Sequence, residues 1–455
     1  MKYIYSLIAL FIIGKSFAQV PPATDPRHYD IVSAISADRI QKDIEKLVSF
    51  GTRHTLSDTV SKKRGIGAAR RWIKSEFDNI SKDCKSCLEV SFMRDLVKGD
   101  PKTRIKNDVE IVNVVAIQRG TKYPNRYVIM SGDIDSRVTD VMDAKSDAPG
   151  ANDNASGMAG VMEAARVLSK YKFESSIIYV GLSGEEQGLF GGKAMAEYAK
   201  NNNWEVIGIL NNDMIGNIEG VNQVIDNRSF RIFSEPTPVT EDDRTRMMRR
   251  YYGGEVDGVS RQLARYIAKM TNTYMPEMKP MMIYRLDRFG RGGHHKPFND
   301  AGFPGVRIME TNENYTWQHQ DIRTEDGVAY GDVLEHVNFP YAAKLTAVNA
   351  ITLAGLAWAP PSPTKVEIAG AVQPSTSLRW EKVEDDNLAG YKIYWRETTE
   401  AQWQYSKFVG NVSEYLLEHV VIDNYFFGVA AVGKNGDESV VVFPGGVYSR
   451  EEHKH

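Results

Sequence analysis

Along most of the chain, apolar residues recur in two rhythms, one with helical spacing and one as short continuous runs. After Ser36, a plausible N-cap, Ile40, Ile44, Leu47 and Val48 share one face, and Gly51 ends the pattern, which predicts a helix over 37–50. Ile66, Ala69, Ile73, Phe77 and Ile80 mark a second amphipathic helix. Strand-like runs follow at 88–93, 109–117 and 127–132, the last apolar enough to be buried on both faces. The pattern then alternates: helix 155–171, strand 176–182, helix 189–201, strand 206–211, and a closing helix at 341–357. Such alternation predicts an α/β domain, a largely parallel twisted sheet with helices on both faces. Residues 224–254 break the rhythm, being polar and carrying Arg244, Arg246, Arg249 and Arg250 just after Glu241, Asp242 and Asp243. They read as an insertion beside the active face. The arginines read as a solvated helix face or as ion-pair partners of those acids, the alternative being a polyanion site.

A proline-rich linker at 360–364 closes this domain, which spans 19–359. Short alternating segments at 377–380, 390–396, 404–409 and 425–432 then predict an all-β sandwich over 365–448. Trp380, Tyr391 to Trp395 and Tyr425 to Val432 resemble a fibronectin type III domain, with Tyr425 at the tyrosine-corner position. Such a module would suit contact with a cell-surface protein or a glycan.

The first 18 residues read differently. Lys2 precedes an apolar run at 3–13, and Ser16-Phe17-Ala18 is a small-x-small cleavage site, so they form a signal peptide. That run is too short to span a bilayer comfortably and no later one is long enough, so the mature chain is expected to be exported, periplasmic or secreted, without a transmembrane segment. Cleavage would take the formal charge from -3 to -5, which offers nucleic acid no attraction. Cys84 and Cys87 form the only C-x-x-C. A zinc half-site would need a second Cys/His pair and a redox site its own fold, so in an oxidising compartment a local disulfide is favoured over two free thiols.

Acidic residues gather at the ends of the predicted strands: Asp133 and Asp135, Asp153, Glu185 and Glu186, and Asp213, with His319 far downstream. Open α/β sheets place their sites there. Each group alone has a plain explanation, since Asp153 could cap the following helix and a turn Asp needs no function. Together, carboxylates after three buried strands would repel one another unless a cation joined them. Adjacent glutamates leave a strand end in different directions, so one can bind a cation while the other acts as general base.

This ordered series resembles the exported co-catalytic zinc aminopeptidases, the family of bacterial leucyl aminopeptidase and the glutaminyl cyclases, over about 36–359. Further matching segments are Ser49-Phe50-Gly51-Thr52-Arg53, Pro149 to Asp153 and Gly293 to Phe298. The resemblance implies a zinc exopeptidase-like fold and hydrolysis of N-terminal peptide bonds, with peptide or protein N-termini as substrate. It makes Asp153 a bridging ligand of two zinc ions, Glu185 the general base, Glu186 and His319 ligands of one ion, and Asp213 a ligand of the other. His295 matches a position lining the cleft.

One position departs from the pattern. Where the family carries His-x-Asp, this chain reads Asp133-Ile134-Asp135. Either Asp133 ligates, giving an all-oxygen site of Asp133, Asp153 and Asp213 that prefers Mn²⁺ or Mg²⁺, or the enzyme uses one ion. Asp135, which orients the imidazole in the family, is expected to lose its donor. The leading reading is a metallo-aminopeptidase. A single-zinc glutaminyl cyclotransferase and a non-catalytic metal-bearing binding protein are the alternatives.

Overall fold

The computed structural model describes residues 20–253 and 257–449, so the signal peptide expected at 1–18 lies outside the described residues. Eight strands form the central sheet: β1 (Leu88–Val97), β2 (Val109–Gln118), β3 (Tyr123–Asp133), β4 (Ser175–Leu182), β5 (Glu205–Asn212), β6 (Ser229–Ser234), β7 (Lys279–Ile283) and β8 (Gly305–Glu310). Their order is β1-β2-β4-β3-β5-β8-β6-β7. The inner four, β4, β3, β5 and β8, run parallel. The flanks do not: β1, β2 and β4 pair antiparallel in turn, and β6 runs antiparallel to β8. The sheet is therefore mixed, parallel only at its centre.

Helices cover both faces. On one lie α1 (Pro26–Ala34), α2 (Ala37–Val48), α3 (Ile66–Asp83) and α4 (Ala155–Leu168), and on the other α5 (Phe190–Asn201). Beyond them come α6 (Asp243–Tyr252), α7 (Val259–Tyr274), α8 (His295–Asp300) and α9 (Phe339–Trp358). α7 and α9 join the first face and α8 the second. Ser36 caps α2 as its sequence predicts, accepting from Arg39 N–H. Cys84 and Cys87 are disulfide-bonded just after α3. No helix among the described residues is long and apolar enough to cross a membrane.

The segment 224–254 departs from its reading as an insertion beside the active face. Its first part is β6, a full member of the sheet, and α6 packs toward the C-terminal unit, where Thr245, Met248 and Tyr252 share a cavity with Val440 to Gly446. Two of the four arginines are ion-paired with acids of the same segment, Arg246 with Asp243 at 2.8 Å and Arg249 with Glu241.

The C-terminal unit is a two-sheet β-sandwich. Four strands (Thr364–Ala369, Thr376–Glu381, Glu414–Leu417, Gly446–Val447) face three (Leu388–Glu397, Tyr405–Gly410, Tyr425–Gly433) across a core that includes Trp380, Ile393 and Phe427. Tyr425 does not make the tyrosine-corner bond: its ring lies edge-on to Tyr405 and Phe427, while the hydroxyl of Tyr391 accepts from Val383 N–H at 2.6 Å. The sandwich is tied to the α/β unit by buried charge. Arg396 grips both oxygens of Asp257 at 2.8 and 2.7 Å, and His28 Nε2 lies 2.9 Å from Asp437 Oδ1.

Candidate metal centre

The carboxyl ends of β3, β4 and β5 meet because the backbone there is pared down. A Cβ on Gly132 would lie 2.6 Å from the Gly157 backbone, and one on Gly157 would lie 2.2 Å from the Asn212 carbonyl. Only glycine lets α4 start this close to β3 and β5. The start of α4 is held by Asn154, which accepts from Gly157 N–H at 3.0 Å and donates to Asp133 Oδ2 and to the Asn212 carbonyl, each at 2.7 Å. The cap is therefore Asn154, and Asp153 is free for other work. Arg53, fully buried, donates to the carbonyls of Ile134 and Gly150, each at 2.9 Å, which fixes the loop leading to Asp153. Asp332 accepts the N–H groups of Asn152 and Asp153, both at 2.7 Å. Burial pushes its carboxyl up to about 7, against the pull of those two bonds.

Asp153, Glu186 and His319 converge. Their ligand atoms all lie within 4.8 Å of one another, the one such group among the described residues. His319 Nε2 is 2.8 Å from both Asp153 Oδ2 and Glu186 Oε1. Its backbone is left-handed, φ +57°, a conformation that non-glycine residues adopt only where surroundings enforce it. Gln318 donates to Asp153 at 3.0 Å, and Arg137 contacts Glu186 Oε2 and His319 Nδ1, both at 2.7 Å. Burial alone would push Asp153 and Glu186 up, but the adjacent imidazole holds both carboxyls below their usual values. His319 feels the converse: burial pulls it down, the two carboxylates outweigh this, and it is pushed up to about 9. Two carboxylate oxygens and one imidazole nitrogen suit zinc, and three protein donors leave a coordination position open for substrate or water.

Glu185 stands apart from this set. It is half-buried and lines an open cleft of about 450 Å³ with Glu186, Arg104, Arg137, Leu189 and Arg291. Burial, then the charges of Glu186, Asp213 and Asp133, raises its carboxyl well above the usual range, as a general base requires. Walls thus come from residues near 104, 137, 188 and 291, none of them in 224–254.

The remaining predicted residues have other partners. Asp135 takes other donors in place of an imidazole: Oδ1 accepts from the N–H groups of Gly184 (2.9 Å) and Glu185 (3.3 Å), and Oδ2 from Glu186 N–H (3.1 Å) and the Thr55 hydroxyl (3.0 Å). It anchors the loop that carries Glu185 and Glu186. Asp133 lies outside the convergent group; Oδ1 is 2.6 Å from His294 Nδ1. Asp213 Oδ2 sits 3.0 Å from Arg307 Nη2. Burial first, then neighbouring carboxylates, raises both Asp133 and Asp213, with Arg307 opposing the rise at Asp213. His295 is fully buried rather than in the cleft, and its Nε2 lies 2.8 Å from the Leu286 carbonyl. Arg137, Arg307 and Asp332 do not stand out in the sequence. The visible signal was Arg307 inside the apolar run Gly305-Val306-Arg307-Ile308-Met309, since a charge buried in a strand needs a partner.

A mixed α/β sheet with carboxylates at the carboxyl ends of its parallel strands, joined by a histidine from the loop after β8, is an arrangement that can hold a metal ion. The profile of Peptidase family M28 matches residues 113–336. A probable zinc metalloprotease of Leptosphaeria maculans is 43% identical over 93% of this chain and 98% of its own length, and one of Pyrenophora tritici-repentis is 42% identical over 93% and 88%. The chain belongs to peptidase family M28. Its fold resembles the LapA aminopeptidase of Legionella pneumophila (TM-score 0.54, 19% identity, 74% of this chain and 77% of that one). It also resembles the glutaminyl cyclase of Macrostomum lignano (TM-score 0.53, 14% identity, 74% and 95%).

Proposed function

We propose that this chain is an exported aminopeptidase that hydrolyses the first peptide bond of peptides and proteins. The observation that carries the reading is the pairing of one convergent donor set, Asp153, Glu186 and His319, with an uncommitted glutamate, Glu185, in an open cleft. Asp153 Oδ2, Glu186 Oε1 and His319 Nε2 would hold the zinc ion. When bound there, zinc supplies Lewis-acid polarisation of the scissile carbonyl. Glu185 takes the proton of the attacking water and passes it to the leaving amine, a task for which a raised carboxyl pKa is matched. Asp135, through three backbone N–H groups, holds Glu185 and Glu186 in their separate directions. The expected leader at 1–18 and the Cys84–Cys87 disulfide support export to an oxidising compartment.

The test is a panel of aminoacyl chromogenic substrates and short peptides, assayed with zinc and after chelation. Activity should depend on zinc, and Glu185→Gln should lower kcat by roughly two to four orders of magnitude at unchanged zinc content. Near wild-type turnover by that variant removes Glu185 from the chemistry. A lone three-donor set also suits cyclisation of an N-terminal glutamine, so the panel includes a Gln-initiated peptide. Loss of ammonia without chain shortening would select the cyclase over the aminopeptidase.

A further inference from the structure

The family resemblance places a second ion among Asp133, Asp153 and Asp213, yet those three residues form no convergent group among the described residues. A different cation occupies their neighbourhood. Arg307, on β8, is fully buried, and its Nη2 lies 3.0 Å from Asp213 Oδ2. Its Nη1 lies 3.2 and 3.1 Å from the two oxygens of Asp287 and donates to the Gly292 carbonyl at 3.1 Å, while Nε donates to the Asp213 carbonyl. Asp133 is likewise engaged on both oxygens, by Asn154 and His294.

A guanidinium does not deprotonate in a protein, so unlike a lysine it cannot yield its charge to an arriving ion. A divalent cation bound through Asp213 would sit against that fixed positive charge. Asp213, in turn, could turn toward an ion only by giving up its 3.0 Å ion contact with that guanidinium, which would then keep Asp287 as its one carboxylate partner. We propose that Arg307 is a built-in cation standing in place of the second ion, so that the centre works with a single zinc held by Asp153, Glu186 and His319. Asp213 is then a positioning residue for Arg307 rather than a ligand. This inference rests on the peptidase reading above and deepens it by fixing the ion count.

The experiment is a zinc titration of the metal-free full chain, read by calorimetry and by elemental analysis after desalting. Wild type should bind one zinc per chain. Asp213→Asn should also bind one, with affinity within about threefold, because Asp213 serves the arginine. Arg307→Gln, which frees Asp213 and Asp287, should bind a second zinc at least tenfold more tightly than wild type does. Two tight ions in wild type, falling to one in Asp213→Asn, would overturn the proposal, as would a folded Arg307→Gln chain that still binds only one. Should Arg307→Gln fail to fold, wild type and Asp213→Asn decide between them. Hydrolysis is not read in this titration. A chain with one zinc and no peptidase activity would refute the aminopeptidase alone, and an active chain with two would refute only the single-ion centre.

Discussion

Asp135→Asn offers the sharpest probe of how the site is held. The aspartate accepts four hydrogen bonds, three of them from consecutive backbone N–H groups that precede or belong to the two glutamates. An asparagine with its carbonyl in the place of Oδ1 keeps the bonds to Gly184 and Glu185, but its amide then points a donor at Glu186 N–H. The Thr55 hydroxyl can rotate to accept; the backbone N–H cannot. One buried donor left unsatisfied costs about 1–3 kcal/mol. Loss of charge assistance at the two surviving bonds adds roughly 1 kcal/mol each. The expected penalty is about 3–5 kcal/mol with the loop kept in place, a fall in Tm of roughly 4–7 °C for a unit of this size. A loop that shifts to relieve the mismatch recovers part of that stability by displacing Glu185 and Glu186, and a displacement near 1 Å costs about a hundredfold in kcat.

The assay is therefore paired: thermal unfolding and kcat on the same preparation, with zinc content as a third reading. Thr55→Val serves as the control, since it removes one bond of the four and should cost only about 1 kcal/mol. Unchanged Tm together with unchanged kcat in Asp135→Asn would refute the anchoring argument, because no arrangement of the loop avoids both penalties.

Other outcomes follow from groups far from the cleft. Glu235, almost fully buried, is pushed up to about 7, chiefly by burial. Its folded value lies above its unfolded one, so stability declines as pH rises from about 4.5 to 7. Glu235→Gln should stabilise the protein by up to about 3 kcal/mol at pH 8 and have no such effect below pH 4, which unfolding curves at the two pH values would check. Arg396→Ala strips Asp257 of a bidentate partner within the interface between the units. Because Arg265 still pairs with Asp257 at 2.5 Å, denaturant unfolding should show a loss of about 1–3 kcal/mol; no measurable loss would mean that the sandwich is not buttressed there. Truncation after Ala359 leaves Asp153, Glu186 and His319 in place but removes Asp437 from His28 and Arg396 from Asp257. It should lower Tm and yield a less stable domain that still binds zinc, and a truncated chain as stable as the whole would contradict the contacts described.

What the sequence made legible was whatever is local. Ile40, Ile44 and Leu47 are all buried on α2, and Ser36 caps it. The acids after β3, β4 and β5 could be placed because apolar runs such as Ile177 to Leu182 leave no doubt where a buried strand ends. β6 was hidden because its six residues lie in a polar stretch and pair with β8, more than seventy positions later. The donors that Asp135 has instead of an imidazole are hidden for a related reason: three are backbone N–H groups some fifty residues on, and backbone groups leave no mark in a sequence. β8 is hard to read in another way. Gly305-Val306-Arg307-Ile308-Met309-Glu310 mixes charged and apolar residues as a half-solvated strand would, yet all six are buried.

Those buried charges explain how an aspartate is tolerated at position 133. Replacing a neutral imidazole by a carboxylate adds one negative charge to a site that already holds Asp153, Glu186 and Asp213. With two divalent ions the surplus would be manageable; with one it would not be, unless the protein supplied positive charge or donors of its own. His294 and Asn154 do so for Asp133, Arg307 for Asp213, and Arg137 for Glu186. No one of these residues announces itself as a ligand. Their common property is to face a carboxylate that the fold has taken out of water, and that demand is strict, because a buried carboxylate without a partner costs more than the stability margin of most domains can absorb. Asp133→His should therefore not by itself create a second zinc site. It would set two imidazoles face to face at 133 and 294 while Arg307 still holds Asp213. Restoring a paired-ion centre requires changing the arginine as well, and elemental analysis of Asp133→His alone and together with Arg307→Gln separates the two accounts: a second zinc in the single variant would show that the missing imidazole, and not the guanidinium, had kept it out.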